Sequence, residues 1–256
     1  MDLQLKGKTV IVLGGTRGIG RAIAETFANE GANVAICARN ANQVAETVSD
    51  LSAIGVEATG ASVDITDADA LKAWVASVEQ DMGGVNILVS NAGAMAQGMD
   101  VASWKQNFEL DVLGAVNAFD AAGASLINAA KTTGDAAFII IASISAAQAE
   151  NASSYGPIKA ALIHMAKGLA RENAAAGLRV NVVSPGMVFF EGGIWDRVKQ
   201  NAPDFFEQAN SRNPTGRCAN PQEVADAAVF LASPVSSYTT GVNLIVDGAV
   251  SNRVNF

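Results

Sequence analysis

Histidine and cysteine are almost missing from this chain of 256 residues, which has one histidine, His164, and two cysteines, Cys37 and Cys218. A lone imidazole excludes a histidine-built metal centre, and two thiols far apart in sequence define neither a disulfide framework nor a thiolate site. No metal is expected. Cys37 lies in the apolar run Val34–Ala38, which suits a small buried thiol. His164 has no acidic or cysteine partner nearby and is expected to be packed or at the surface. Proline is also scarce, at 6 residues against 24 glycines, and no segment is of low complexity. That balance points to tight turns in a compact domain and away from disorder.

Positive charge is in deficit, with a net charge of -8. A nucleic-acid partner needs a basic face, so none is expected. No run of Lys or Arg suits a membrane surface, and no apolar stretch reaches the roughly 18 residues that a membrane span requires. Met1–Lys6 lacks a charged-then-apolar leader pattern, so the expected location is cytoplasmic.

Apolar residues are plentiful, making up half of the chain. They gather in short runs at Thr9–Leu13, Asn33–Ala38, Glu57–Val63, Val85–Ser90, Ala136–Ala142, Arg179–Ser184 and Asn243–Val246. Such runs suit strands buried on both faces of a parallel sheet. Helix-period segments fill the gaps. Ile19, Ile23 and Phe27 form one stripe that stops at Gly31; Val44, Val48 and Leu51 form another that ends at Gly55. Thr66, three residues before Asp69, predicts a capping box. The expected fold is one α/β domain over residues 1–256, a doubly wound Rossmann-type sheet of seven parallel strands with helices on both faces. The segment 187–217 breaks the rhythm, mixes aromatic and charged residues, and is a candidate substrate lid before a last helix near Pro221.

Between the first strand and first helix lies Gly14-Gly15-Thr16-Arg17-Gly18-Ile19-Gly20. Glycines at 14, 18 and 20 depart from G-x-G-x-x-G, because Ile23 stands where that fingerprint has its third glycine. A turn there still lets the backbone approach a pyrophosphate lying on the helix N-terminus. The second strand ends Cys37-Ala38-Arg39, without the carboxylate that selects NAD. Arg39, with Arg17, favours a 2′-phosphate, and hence NADP(H); the alternative is that either arginine is a solvated surface charge.

Tyr155 and Lys159 stand at i and i+4 and share a helix face. A free tyrosine ionises near pH ~10, and a neighbouring ammonium brings it toward working range. Ser143 ends the fifth strand, where ligand sites of open parallel sheets occur, and its hydroxyl could polarise a carbonyl. The plain alternative is a serine that caps a turn.

With these residues the chain resembles the single-domain short-chain dehydrogenases/reductases almost end to end. The 14/18/20 turn is similar to the family's cofactor motif, with Thr16 and Ile19 beside it. Asp64 and Ile65 follow the third strand where the family contacts adenine. Ser90-Asn91-Ala92-Gly93 resembles the motif after the fourth strand, and Asn181 with Ser184-Pro185-Gly186 the one after the sixth. Gly241-Val242 and Val246-Asp247-Gly248 resemble the C-terminal signature. The resemblance implies that Tyr155 donates a proton to a carbonyl oxygen held by Ser143, while Lys159 binds the nicotinamide ribose. It also implies a small-molecule ketone or aldehyde as substrate, and a homotetramer or homodimer built on Ala/Gly-rich helices.

Four departures stand out. Asp111 replaces the family's asparagine and is expected to anchor Lys159 through water, with an effect on the pH optimum. The Ser143-to-Tyr155 spacing is one residue short, so Ser145 is a possible substitute for Ser143. Phe190 replaces the threonine after Pro185, which leaves the carboxamide contact to the Val188 backbone. Ala249 replaces a second glycine, an exchange expected to be tolerated. Phe189, Phe190, Ile194, Trp195, Phe205 and Phe206 would make either an apolar or aromatic pocket wall or lid-to-body packing. An NADP(H)-binding sensor or scaffold without turnover is the alternative to an enzyme. A sugar-nucleotide epimerase or dehydratase is disfavoured, because it would need a C-terminal substrate domain.

Overall fold

Thr9–Leu13 are all buried and form β1, the strand on which the rest of the sheet is laid. The computed structural model describes residues 1–149 and 151–254. The other strands are β2 (Asn33–Ala38), β3 (Ala58–Ser62), β4 (Ile87–Ser90), β5 (Ala136–Ile141), β6 (Leu178–Pro185) and β7 (Asn243–Val246). They pair in the order β3-β2-β1-β4-β5-β6-β7, every pair parallel. The order reverses between β1 and β4, where Leu13 stands opposite Ser90. Beyond that pair the chain diverges to opposite faces and leaves a crevice at the carboxyl ends of the strands.

Side chains alternate across each strand, so β1 feeds two cores. Ile11 and Leu13 join Leu88, Phe138 and Ile140 beneath α3 (Ala68–Met82), α5 (Gly114–Thr133) and α6 (Tyr155–Asn173). Val10 and Val12 join Val89 and Ile139 beneath α1 (Gly18–Asn29), α2 (Ala41–Ala53) and α9 (Pro221–Ala232). Burial on both faces holds for β1, β4, β5 and β6 but not for the edges. Residues 58–62 of β3 and 243–246 of β7 are partly exposed, because each edge strand has one neighbour and incomplete cover.

The predicted capping box at Thr66 is not formed. Asp67 is the N-cap of α3 and accepts from the Ala70 N–H, while Thr66 turns back to bond Asp64. The box forms instead at α9, where Asn220 and Glu223 cap reciprocally.

Helix α4 (Val101–Asn107) runs through a π-helical turn, Phe108–Leu113, into α5. The continuous run Val101–Thr133 is long and apolar enough to cross a membrane by length and composition alone. Its inner face, with Ala115, Ala118, Ala122 and Leu126, is instead packed in the core.

At the amino end of the sheet, Arg179 of β6 forms a buried fork with Asp135, with Nε to Oδ1 at 2.7 Å and Nη2 to Oδ2 at 3.2 Å. The same guanidinium donates to the carbonyls of Leu231, Ala232 and Ser233. It thus satisfies the C-terminus of α9, where a helix leaves carbonyls without partners.

Segment 187–217 carries α7 (Ile194–Asn201) and α8 (Pro203–Arg212). A bridge between Val188 and Ala219 draws the two ends of the segment together.

Candidate active site

The carboxyl ends of the strands enclose a cavity of about 400 Å³. Gly14, Thr16, Arg17 and Ile19 line it from the first turn, Arg39 from the end of β2, and Asp64 and Ile65 from beyond β3. Asn91, Ala92 and Gly93 follow β4; Ser143, Tyr155 and Lys159 follow β5; Pro185, Gly186 and Val188 close it after β6. Cys37, Asn40 and Gln43 also line the β2 end, where sequence pattern gave no signal for them.

Gly14 adopts φ +73, and a Cβ there would lie 3.1 Å from the Ala92 backbone. Its carbonyl accepts from Asn91 Nδ2 at 3.0 Å, which fixes the turn against β4. Gly18 and Gly20 do not line the cavity. A Cβ on Gly20 would run into the Gly14 carbonyl and Asn91 Nδ2, and one on Gly18 would meet the Phe190 ring. These two glycines permit close packing around the turn rather than presenting a surface.

Helix α1 has Arg17 at its N-cap, with no side-chain cap bond, and no acidic residue in its first turn. Its leading N–H groups are therefore available to an anion. Arg17 and Arg39 are both exposed at the rim. Asp64 accepts from the N–H and hydroxyl of Thr66 at 3.0 and 2.8 Å. Those bonds, with a smaller contribution from the Arg39 cation, hold its carboxyl below the usual range. Burial pushes the Cys37 thiol up to about 12, which leaves it unreactive.

The polar centre departs from expectation in one respect. Asp111 does not reach Lys159 through water: Lys159 Nζ lies 2.7 Å from Asp111 Oδ1, both side chains almost fully enclosed. The π-helical turn carries Asp111 inward, and Gly93 makes room, since a Cβ there would lie 3.1 Å from Oδ1 and 3.4 Å from Nζ. Lys159 also donates to the Ile141 carbonyl at 3.2 Å and lies 5.6 Å from the centre of the Tyr155 ring. Burial alone would lower the lysine; the negative charge of an ionised Tyr155 and the carboxylate of Asp111 outweigh it and hold the ammonium above its ordinary value. An ammonium has three donors, so one remains for a ligand.

Ser143 faces the cavity and accepts the Ser145 N–H at 3.1 Å. Ser145 does not line the cavity, so the shorter spacing to Tyr155 leaves Ser143 as the serine in place. The bridge at Val188 uses the Met187 carbonyl and Phe189 N–H, so the Val188 amide is turned to the opposite edge. The aromatic and apolar residues of segment 187–217 divide. Phe190, Ile194 and Trp195 line the cavity, whereas Phe189, Phe205 and Phe206 pack with one another and with Trp195 at centroid distances of 5.8–6.4 Å. Ala249 has φ +64, a left-handed backbone where glycine is usual.

A family model described as enoyl-(acyl carrier protein) reductase matches residues 14–251. The chain belongs to the short-chain dehydrogenase/reductase family. Membership makes it an oxidoreductase of an alcohol and its carbonyl. Among the relatives of this short-chain dehydrogenase/reductase is isoepoxydon dehydrogenase of Penicillium expansum, 34% identical over 98% of each chain. L-Sorbose reductase of Gluconobacter frateurii, in complex with NADPH and L-sorbose, superposes with a TM-score of 0.90 at 32% identity, over 99% of this chain and 100% of that one. A 7α-hydroxysteroid dehydrogenase bound to NADH and 7-oxo glycochenodeoxycholic acid superposes at 0.88 and 30%, over 99% and 98%.

Proposed function

We propose that this enzyme uses NADP(H) to interconvert an uncharged apolar or aromatic ketone or aldehyde and its alcohol. One observation carries the reading: a hydroxyl, a phenol and a lysine–aspartate pair line or adjoin the same cavity as a glycine turn and two rim arginines.

The residues present suit a nicotinamide dinucleotide. The uncapped α1 and the Gly14 turn suit its pyrophosphate. Arg17 and Arg39 suit a 2′-phosphate, since a guanidinium fork matches phosphate oxygens. Asp64, Ile65, Asn91, Ala92, Gly93, Pro185, Gly186 and the Val188 backbone would complete its contacts. Similar structures hold NADPH or NADP in some cases and NADH in another, so the preference for NADP(H) rests on the two arginines. When bound, the dinucleotide supplies or accepts the hydride.

The protein's part is the proton and the carbonyl. Ser143 donates a hydrogen bond to the carbonyl oxygen, and Tyr155 delivers the proton as the alcohol forms. The Lys159 ammonium favours the phenolate that remains, and its free donor is available to a ribose hydroxyl. Asp111 keeps Lys159 charged in a buried site, where an isolated ammonium would lose its proton.

Phe108, Leu113 and Val116 are exposed apolar residues on the outer side of the α4–α5 run. They support self-association to a dimer or tetramer through that face. A cytoplasmic, membrane-free location is part of the same reading.

The test compares wild type with Tyr155→Phe. NADPH at 100 times its dissociation constant stabilises a protein by about 2.7 kcal/mol. Both proteins should show that thermal shift, larger than with NADH, and Tyr155→Phe should lose turnover of ketones. Substantial residual activity would remove Tyr155 as proton donor. A cofactor shift with no wild-type turnover on any ketone would favour the sensor.

A further inference from the structure

Three non-glycine residues among those described have a left-handed backbone: Gln4, Met95 and Ala249. Met95, at φ +59, is the one of the three that lines the cavity. Methionine lacks the short polar side chain that lets asparagine or aspartate settle in this region, so its surroundings must impose the conformation.

The imposing groups are the residues on either side of Met95. The Ala94 N–H donates to Asp111 Oδ2 at 2.8 Å. The Ala96 N–H donates to Asn107 Oδ1 at 3.0 Å, and the Ala96 carbonyl accepts from Asn107 Nδ2 at 2.8 Å. Asn107 and Asp111 sit at the two ends of one turn of the α4–π run, and both are buried. The Asn107 amide thus pairs with the Ala96 peptide as a second peptide would, and Met95 is gripped from both sides.

The same amide reaches the candidate proton donor. Asn107 Nδ2 also donates to Ser154 Oγ at 2.9 Å, and the Ser154 N–H donates to the Gly98 carbonyl at 3.1 Å. Ser154 opens α6 but gives its own helix no side-chain cap. Tyr155 follows Ser154 and Met95 precedes Ala96, so the two cavity residues are held from one buried side chain.

The same cavity takes the apolar side chains of Val188, Phe190, Ile194 and Trp195 into its lining. The charged residues at this end are Lys159 and the adjoining Asp111, already paired. Substrate hydroxyls set against those apolar side chains would lack partners, which costs more than a poor apolar fit.

We propose that Met95, held left-handed by the Asn107–Asp111 clamp, is a specificity-determining residue that selects an apolar ketone and rejects polyhydroxy ketones. The proposal rests on the oxidoreductase reading above. It makes Asn107 a positioning residue for both Met95 and Tyr155.

The experiment measures NADPH-dependent reduction of a series of cyclic ketones, cyclohexanone to 2-tetralone, and of fructose. The proteins are wild type, Met95→Gly and Met95→Asn, each with its melting temperature and NADPH thermal shift. Wild type should favour its best cyclic ketone. Met95→Gly should lower the kcat/KM ratio of cyclic ketone to fructose by about tenfold or more, as expected when apolar contacts leave a pocket. It should keep the NADPH shift and melt no lower than wild type, because glycine accepts this backbone. Met95→Asn should also fold and should shift the ratio further toward fructose.

An unchanged ratio in both variants would overturn the proposal while leaving the oxidoreductase reading intact. So would a wild-type preference for fructose. A lower melting temperature for Met95→Gly would overturn the imposed conformation. NADPH binding by wild type with no carbonyl reduced would remove the reading beneath it.

Discussion

Lys159 Nζ and Asp111 Oδ1 lie 2.7 Å apart in an enclosed site, so the lysine of this active site is one half of a direct ion pair. The carboxylate has a second task, since its other oxygen accepts the Ala94 N–H. Charge balance and loop position therefore depend on one side chain.

Asp111→Asn tests the charge. The buried ammonium would keep the Ile141 carbonyl but lose its counter-ion, and burial would then act on it with less opposition. Lys159 would give up its proton at lower pH. The alkaline limb of the kcat profile should move down by about one unit or more, while the NADPH thermal shift stays. An unmoved limb would make Asp111 a bystander to the chemistry.

Arg39→Asp tests the cofactor. An acidic residue at the end of β2 repels a 2′-phosphate and can accept from a ribose hydroxyl. KM for NADPH should rise by about tenfold or more, the loss expected from one charge-assisted contact, while KM for NADH falls. Equal effects on both would take Arg39 out of the selectivity.

Arg179→Met tests the far end of the sheet. It leaves the Asp135 carboxylate enclosed without a counter-charge and releases the last carbonyls of α9. Breaking such a pair costs about 3–5 kcal/mol, a fall in Tm on the order of 10 °C. Adding Asp135→Leu should recover much of the loss, and a double variant as weak as the single one would refute this account.

Glu223→Gln tests pH dependence. The Arg217 fork and the Asn220 N–H hold the Glu223 carboxyl down to about 2. A lowered carboxyl contributes stability above its unfolded pKa of about 4.3, and that stability is lost as pH falls through the folded value. The Tm gap between wild type and variant should thus be full above roughly pH 5, shrink below that, and close near pH 2. Because the pair is exposed, the gap should be a degree or two and should shrink in salt.

Much of this architecture is legible in the sequence. The seven runs became the seven strands, and in β1, β4, β5 and β6 the reason is burial on both faces, which needs consecutive apolar residues. Gly14, Tyr155 and Lys159 were readable because each has a spacing tied to one backbone geometry. The capping box failed because Thr66 has a closer partner in Asp64, a choice local pattern does not decide. Asn107 and Ser154 carried no signal at all. Their partners lie far along the chain, and nothing in a single sequence says that they meet. The directness of the Asp111 contact depends on the π-helical turn, which periodicity analysis at 3.6 residues does not detect.

The Arg179 fork stands at the amino ends of β5 and β6, while Ser143, Pro185 and Gly186 stand at their carboxyl ends. The buried fork and the cavity thus stand at opposite poles of the same two strands. Met95, Ile194 and Trp195 line the cavity and take no part in the Arg179–Asp135 fork or its bonds to the end of α9. A scaffold divided in this way is free to diversify, and relatives that share a third of its residues carry the names of quite different substrates.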